Sequence, residues 1–385
     1  MPTRRACPPA SRTASTTARA LFGCVIAAAL ALPGCGGLSS QQRAEQAASS
    51  ADLLRNEAMF ALGYRNEWVG VPYIGDGAEI VFAEAYDDVV LLLDSASRFT
   101  ALDTATGLSR WSIELTDATT EFVGIARSGD LAFAASASEL FIVRIREGAL
   151  TGRQSLVRIA GTEPVVFGDT VVFGTPGGEV FAHKFGLGFR AWGNKVGTTV
   201  SKNAAVLPGS ITVAADDGNV LFVDPKSGKR TGQISVYGPP GSNPVAGTKY
   251  VYLASRDQSL YAFDPAGGGV VWRERTSTPL TAQPTFHQGA LYMMLPEQGL
   301  VAFDAETGSR RWTSAEVAGH TVAISQRGLI TFDGGPAWLL DPQRGDVIEA
   351  VDLDDVDRLL TDSFEDGHLY VLTDDGRVGR YQARF

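Results

Sequence analysis

A repeat of about 40 residues constrains this chain more than any local motif. Leu260-Tyr261-Ala262-Phe263-Asp264 is followed by Gly268 and Trp272, and Leu300-Val301-Ala302-Phe303-Asp304 by Gly308 and Trp312, with every landmark offset by 40 positions. Stepping outward from Asp264 gives Asp103, Arg144, Lys184, Asp224, Asp304, Asp341 and Gln382, at intervals of 37 to 41 residues. Four residues after each reference position except the last stands a glycine: Gly107, Gly148, Gly188, Gly228, Gly268, Gly308 and Gly345. Trp111, Trp192, Trp272 and Trp312 lie eight residues after theirs. Self-similarity at this period marks a fold built from stacked supersecondary units, none of which can bury its apolar surface alone.

One unit shows what is stacked. Lys249–Ala254 and Leu260–Phe263 are β-branched, aromatic or alternating, and Ser255–Ser259 between them is polar. That is a hairpin signal. Asp264-Pro265-Ala266-Gly267-Gly268 then turns the chain back into Val270–Arg273. An aspartate at the start of such a turn can accept bonds from backbone N–H groups two residues on, and a glycine at its end takes the left-handed conformation without a Cβ penalty. Trp272 falls on the next strand, where it can bury a large flat surface between sheets. A fourth short strand over Gln283–Phe286 leads into the next unit. Four short strands per unit and no helical period predict the blades of a β-propeller.

The two chain ends suggest how the ring closes. The eighth unit ends at Phe385 without a tryptophan-bearing strand, while Tyr64–Trp68 precedes the first complete unit and Trp68 lies 43 residues before Trp111. The expected fold is therefore all-β: an eight-bladed propeller of four-stranded antiparallel blades over 63–385, closed by an N-terminal strand that completes the last blade. A seven-bladed ring with a spare final hairpin is the alternative.

Residues 1–34 have a basic start and an apolar run, Ala20–Pro33, too short for a comfortable membrane span. Leu32-Pro33-Gly34-Cys35 resembles the lipobox of bacterial lipoproteins. That resemblance implies cleavage before Cys35 and acylation of the new N-terminal Cys35; Gly36 in place of Asp favours the periplasmic side of an outer membrane. Plain secretion with a chance cysteine is the alternative. Residues 35–62 are expected to be the lipidated cysteine and a partly helical tether, or a helix that binds a partner. Cys7, Cys24 and Cys35 are the only cysteines, so the propeller region has no disulfide, thiol nucleophile or thiolate metal site. Formal net charge is −10, and no run rich in Lys and Arg follows the leader. Nucleic acid and bare anionic bilayers are poor partners for such a surface.

The core pattern, apolar-x-Ala-Phe/Leu-Asp-x-x-x-Gly-x-x-x-Trp, resembles the quinoprotein-type (PQQ-like) propeller repeat. With the lipobox, the whole chain resembles the propeller lipoproteins that act as scaffolds of the machinery inserting β-barrel proteins into the outer membrane. The resemblance implies a non-enzymatic, lipid-anchored scaffold facing the periplasm, with the β-barrel assembly machinery as partner. In that family a Leu-x-Leu-Arg-like loop after an early blade grips the partner. The stretch taken to correspond, Gly193–Asn203, reads Gly-Asn-Lys-Val-Gly-Thr-Thr-Val-Ser-Lys-Asn and does not match, so no interface residue is carried over. A propeller lipoprotein binding another protein or ligand in the envelope is the second reading. A quinone-dependent dehydrogenase is the third.

No catalytic, cofactor-binding or metal site is expected. By family resemblance, many quinoprotein dehydrogenases seat the quinone beside adjacent cysteines and a calcium ion, and the propeller here has no cysteine. His183, His287, His320 and His368 fall on different units without ligand spacing. Asp352–Asp357 lacks the glycine and the final glutamate of a calcium loop. Gly174-Thr175-Pro176-Gly177-Gly178 lacks the Lys-Ser/Thr that would close a phosphate loop. Asp103, Asp224, Asp264, Asp304 and Asp341 recur with the repeat and are expected to form turns. Function is then expected in the loops. Tyr237, Pro239 and Pro240, in the proline-stiffened run Tyr237–Pro244, are candidate partner contacts. So are Arg144 and Arg146, where the repeat is most diverged.

Overall fold

The structure is a computed structural model that describes residues 56–384. Cys35, the expected leader before it and residues 36–55 of the expected tether lie outside the described residues. Within 56–384 there are eight antiparallel sheets of four strands each. Blade one consists of Ile80–Ala85, Val89–Asp94, Arg98–Asp103 and Ser109–Glu114, here strands a to d. Blades two to seven repeat this order along the chain. Neighbouring a strands touch one another, as Ile80–Ala85 does with Phe122–Ser128 and with Val356–Thr361, so the a strands line the centre of the ring.

Blade eight takes a, b and c from the C-terminus (Val356–Thr361, Leu369–Thr373, Val378–Ala383) and d from the N-terminus (Tyr64–Gly70). Tyr64 pairs with Ala383 and Gly70 with Val378. The ring therefore has eight blades, and the seven-bladed alternative is excluded. Both ends of the propeller are held by one sheet, which leaves no open edge facing a missing neighbour.

Strand b is buried along its whole length in several blades, as in Val89–Asp94, Val251–Ser255 and Leu369–Thr373. Each sheet is covered on both faces by adjacent blades, so these strands read as continuous apolar runs instead of alternating. Strand d lies at the outside, and Ala149–Ser155 and Gly269–Arg275 expose most of their residues.

The repeat landmarks act mainly between blades. Asp103 Oδ1 accepts the backbone N–H groups of Ala105 and Thr106 at 3.1 and 3.0 Å, and Gly107 N–H donates to the Asp103 carbonyl at 2.8 Å. The seven repeat glycines all have φ between 65° and 77°. The tryptophan of the preceding blade then packs over this turn. Trp68 Nε1 donates to Thr104 O at 2.7 Å, Trp111 to Ile145 O at 2.6 Å, Trp192 to Pro225 O at 2.9 Å, Trp272 to Ala305 O and Trp312 to Pro342 O at 3.0 Å. A Cβ on Gly107 would lie 2.5 Å from the Trp68 ring, and one on Gly308 2.6 Å from the Trp272 ring. The glycine is thus required twice, by its own backbone and by its neighbour's indole.

Three seams lack the indole. Between blades two and three, Gln154 bonds Phe185 O at 2.7 Å and the ring of fully buried His183 at 2.8 Å. Between blades four and five, Gly232 and Gly268 bring their backbones together. Between blades seven and eight, helix α1 (Asn56–Ala61) inserts Met59, and Leu62 follows it into a core shared with Ile330, Leu339, Leu369 and Tyr381.

A candidate interaction face

Connections a–b and c–d gather at one end of the ring, the turn end, where Ile145 N–H donates to Asp130 O at 2.8 Å. The b–c turns and the linkers between blades gather at the other, the linker end, where Leu156 N–H donates to Ser138 O at 2.7 Å and Val236 N–H to Gly218 O at 2.8 Å. The strand that follows α1 starts at the turn end, so residues 56–63 join the ring there.

On the linker end, the connections after blades two and four expose large apolar side chains. Val157 and Ile159 are 57% and 63% exposed, and Tyr237 is 90% exposed. The connections that carry them are nevertheless tied down. Ala160 N–H donates to Ala137 O at 2.8 Å, and Arg158 Nε to Glu179 Oε2 at 2.9 Å. Tyr237 N–H donates to Asp257 Oδ2 at 3.2 Å, Arg256 N–H to Pro239 O at 2.9 Å and Gly241 N–H to Ala254 O at 2.8 Å. The Arg273 guanidinium lies 5.8 Å from the Tyr237 ring centre. Apolar groups held out on a rigid frame lose little entropy when a partner covers them.

A ladder of polar side chains joins successive linkers where they enter strand a. Asn203 Oδ1 accepts Glu163 N–H at 3.0 Å, and Asn203 Nδ2 donates to Glu163 Oε2 at 2.9 Å. Asn243 Oδ1 accepts Asn203 N–H at 2.9 Å, and Gln283 Oε1 accepts Asn243 N–H at 3.1 Å. These four residues are 40 apart. The period carries them, but their differing side chains hide it. Further along the a strands, Glu84 is exposed, yet desolvation by the protein around it and the charge of Glu163 push its carboxyl up to about 7.

The sequence candidates fall on opposite ends of the ring. Tyr237 projects from the linker end, Pro239 is half-buried, and Pro240 is buried and bridged to Ser255. Arg144 and Arg146 lie at the turn end beside Glu147 and Asp130, at 3.7 and 3.6 Å, so they form neither one surface with Tyr237 nor an unpaired basic patch. Sequence reasoning passed over Leu156-Val157-Arg158-Ile159. An apolar run broken by one cation just before a proline-bearing linker end was the available signal.

The repeat aspartates are turn formers, as expected: Asp224, Asp264, Asp304 and Asp341 each accept backbone N–H bonds within their own turns. His183 is buried against Gln154, and His368 bonds Asp362 at 2.9 Å. Among the described residues, no group of three or more His, Cys, Asp or Glu side chains is placed to hold a metal ion.

Comparison with known proteins bears on this architecture. The family model described as "Outer membrane protein assembly factor BamB" matches residues 216–358. The chain resembles BamB. It is 24% identical to BamB of Bordetella pertussis over 241 residues, which covers 50% of this chain and 62% of that protein. It is 26% identical to BamB of Nitrosomonas eutropha over 159 residues, covering 38% of this chain and 39% of the other. With BamB of Burkholderia pseudomallei it shares 29% over 155 residues, 39% and 40% of the two chains. The matched part thus spans less than two thirds of each of these relatives. Among solved structures, BamB from Moraxella catarrhalis superposes with a TM-score of 0.65 at 18% identity, over 83% of this chain and 97% of the other. The computationally designed Ika8 protein gives the same TM-score at 13% identity, over 79% and 96%. These two likenesses establish the fold. The sequence matches make the chain similar to BamB over the parts they cover.

Proposed function

We propose that this chain is a non-catalytic scaffold that works with the outer-membrane β-barrel assembly machinery, anchored by lipid at Cys35 and facing the periplasm. The observation that carries the proposal is the braced linker end, which holds Val157, Ile159 and Tyr237 out to solvent on a propeller similar to BamB. Aromatic and aliphatic anchors on a preorganised frame are what a protein partner's apolar pocket recognises. Entry of residues 56–63 at the opposite end is compatible with a partner at the linker end. Pro239 stiffens the Tyr237 loop and belongs to the proposed contact. Arg144 and Arg146, on the far end, do not. No chemistry is assigned, because the recurrent carboxylates are occupied in turns.

Affinity capture from detergent-solubilised envelopes tests the proposal. The full-length lipoprotein is expected to bring down subunits of the β-barrel assembly machinery, and the double variant Val157→Asp/Ile159→Asp to lose them while keeping its thermal unfolding midpoint. Specific partners that include no barrel-assembly subunit would overturn it. Labelling with radioactive palmitate reads Cys35 separately: the wild type should incorporate label and Cys35→Ala should not.

A further inference from the structure

The seam where blade eight meets blade one carries a second surface at the linker end, away from Val157 and Tyr237. A groove of about 480 Å³ runs between the linker that follows the closing strand and the b–c turn of blade eight. That volume lies within the range of roughly 300–1,000 Å³ usual for sites that take a small ligand or a few side chains of a peptide. Ile74 and Ile80, both half-buried, provide its apolar surface, and Leu372 lies buried beneath them. Glu79 stands on one wall and Asp374 on the other, both exposed.

Both walls are preformed. Gly75 N–H donates to Asp94 Oδ2 at 2.9 Å and Glu79 N–H to Ser95 Oγ at 3.1 Å. Opposite, Gly376 N–H donates to Thr373 O at 2.8 Å and Arg377 N–H to Thr373 Oγ1 at 3.0 Å. The cations of the groove are already engaged. Arg358 donates to Val81 O at 2.9 Å and Ile80 O at 3.1 Å, and its Nε lies 3.2 Å from Asp357. Arg377 pairs with Asp375 at 2.8 Å. No ion pair within the described residues involves Glu79 or Asp374, so each wall presents a carboxylate without a cation.

From this charge pattern we infer that the groove takes an extended segment of a partner protein in which apolar residues alternate with Lys or Arg. Successive side chains of an extended segment point to opposite sides. Alternate apolar side chains can therefore face Ile74 and Ile80, while the intervening cations stay at the mouth near Glu79 and Asp374. An acidic segment would meet repulsion on both walls. The inference does not depend on the assembly role proposed above, since it uses neither the same residues nor the same partner.

Fluorescence anisotropy on the chain from residue 36 onward tests it with a labelled octapeptide of alternating Lys and Leu, in EDTA to exclude metal ions. The peptide is expected to bind and to weaken as salt is raised. The double variant Glu79→Gln/Asp374→Asn, checked for an unchanged unfolding midpoint, should bind it about five- to tenfold more weakly, the scale of two exposed charge pairs. Val157→Asp/Ile159→Asp should bind it as the wild type does. The inference is overturned by equal affinity for the alternating Glu and Leu peptide, by unchanged affinity in the Glu79/Asp374 variant, by loss of binding in the Val157/Ile159 variant, or by no binding up to millimolar peptide.

Discussion

The seam between blades one and two and the seam between blades two and three join sheets of nearly identical plan by different chemistry. At the first, Trp111 covers the turn of blade two and donates to Ile145 O. At the second, Gln154 reaches across to Phe185 O and to buried His183. The indole combines a large apolar area with one directional bond to a carbonyl that would otherwise be covered without a partner. The glutamine covers less area and depends on hydrogen bonds. Burial holds the His183 imidazole below its ordinary pKa, so the ring stays neutral at neutral pH. What recurs every 40 residues is therefore a device for joining neighbours. A blade can lose its half of the device when another contact takes over the seam.

Substitutions can break this contrast. Trp111→Ala and Trp68→Ala should cost the most, about 3–5 kcal/mol each in urea unfolding, the range for removing a large aromatic from a packed site. Trp68→Ala should also speed amide exchange in Val378–Ala383, because its strand is the one that closes the ring. Equal tolerance of Trp111→Ala and Gln154→Ala would refute the idea that the indole is the stronger joint.

Gly107→Ala comes next. It combines a left-handed backbone, costing about 1–2 kcal/mol, with a clash against Trp68 that adds about 1–3 kcal/mol. Gly129 has φ of 57° with nothing within 4 Å of an added Cβ, so Gly129→Ala should show only the backbone cost. Similar losses for the two would show that the neighbouring indole does not restrict the glycine.

Gln154→Ala should cost about 1–3 kcal/mol by leaving Phe185 O and the His183 ring without their partner. At this seam stability should also depend on acid. His183 has a depressed pKa when folded, so the unfolded chain takes up its proton first and stability falls as pH drops through and below about 6.5, the ordinary histidine value. His183→Gln should flatten that part of the profile.

The smallest effect should come from Glu84→Gln. Its carboxyl is raised to about 7, so the unfolded chain gives up the proton first, and stability falls as pH rises from about 4.5 to about 7. The variant should therefore gain thermal stability at pH 8 relative to wild type and little at pH 4. A gain of the same size at both would show that the charge of Glu84 is not the cause.

Much of the ring was legible because a propeller repeats its local chemistry. The Asp-x-x-x-Gly turn can be read from backbone requirements alone, and the lone Tyr64–Trp68 strand matched the strand missing after Gln382. Other contacts were not legible, because they pair residues whose spacing is irregular. Residues 362–368 of blade eight cross to blade seven, where Ile324 N–H donates to Phe364 O at 2.7 Å, and Phe364 then packs 5.1 Å from the His287 ring of blade six. Nothing local in Ser363-Phe364-Glu365 announces that reach. Tyr237 could be picked out by its prolines, whereas Val157 and Ile159 look like strand residues until the linker turns them outward.

The sequence by itself determined the blade and narrowed the ring to eight blades or seven, since these follow from period, turn chemistry and a count of strands; pairing of the N-terminal strand with the last blade decided for eight. Only the tertiary structure decided which end of the ring each loop occupies and which charges remain unpaired. A 40-residue period places equivalent residues at equivalent points of successive blades. It does not say whether a cation such as Arg358 or Arg146 will find its partner in the next blade or stay in water, because that depends on neighbours brought together only when the ring closes.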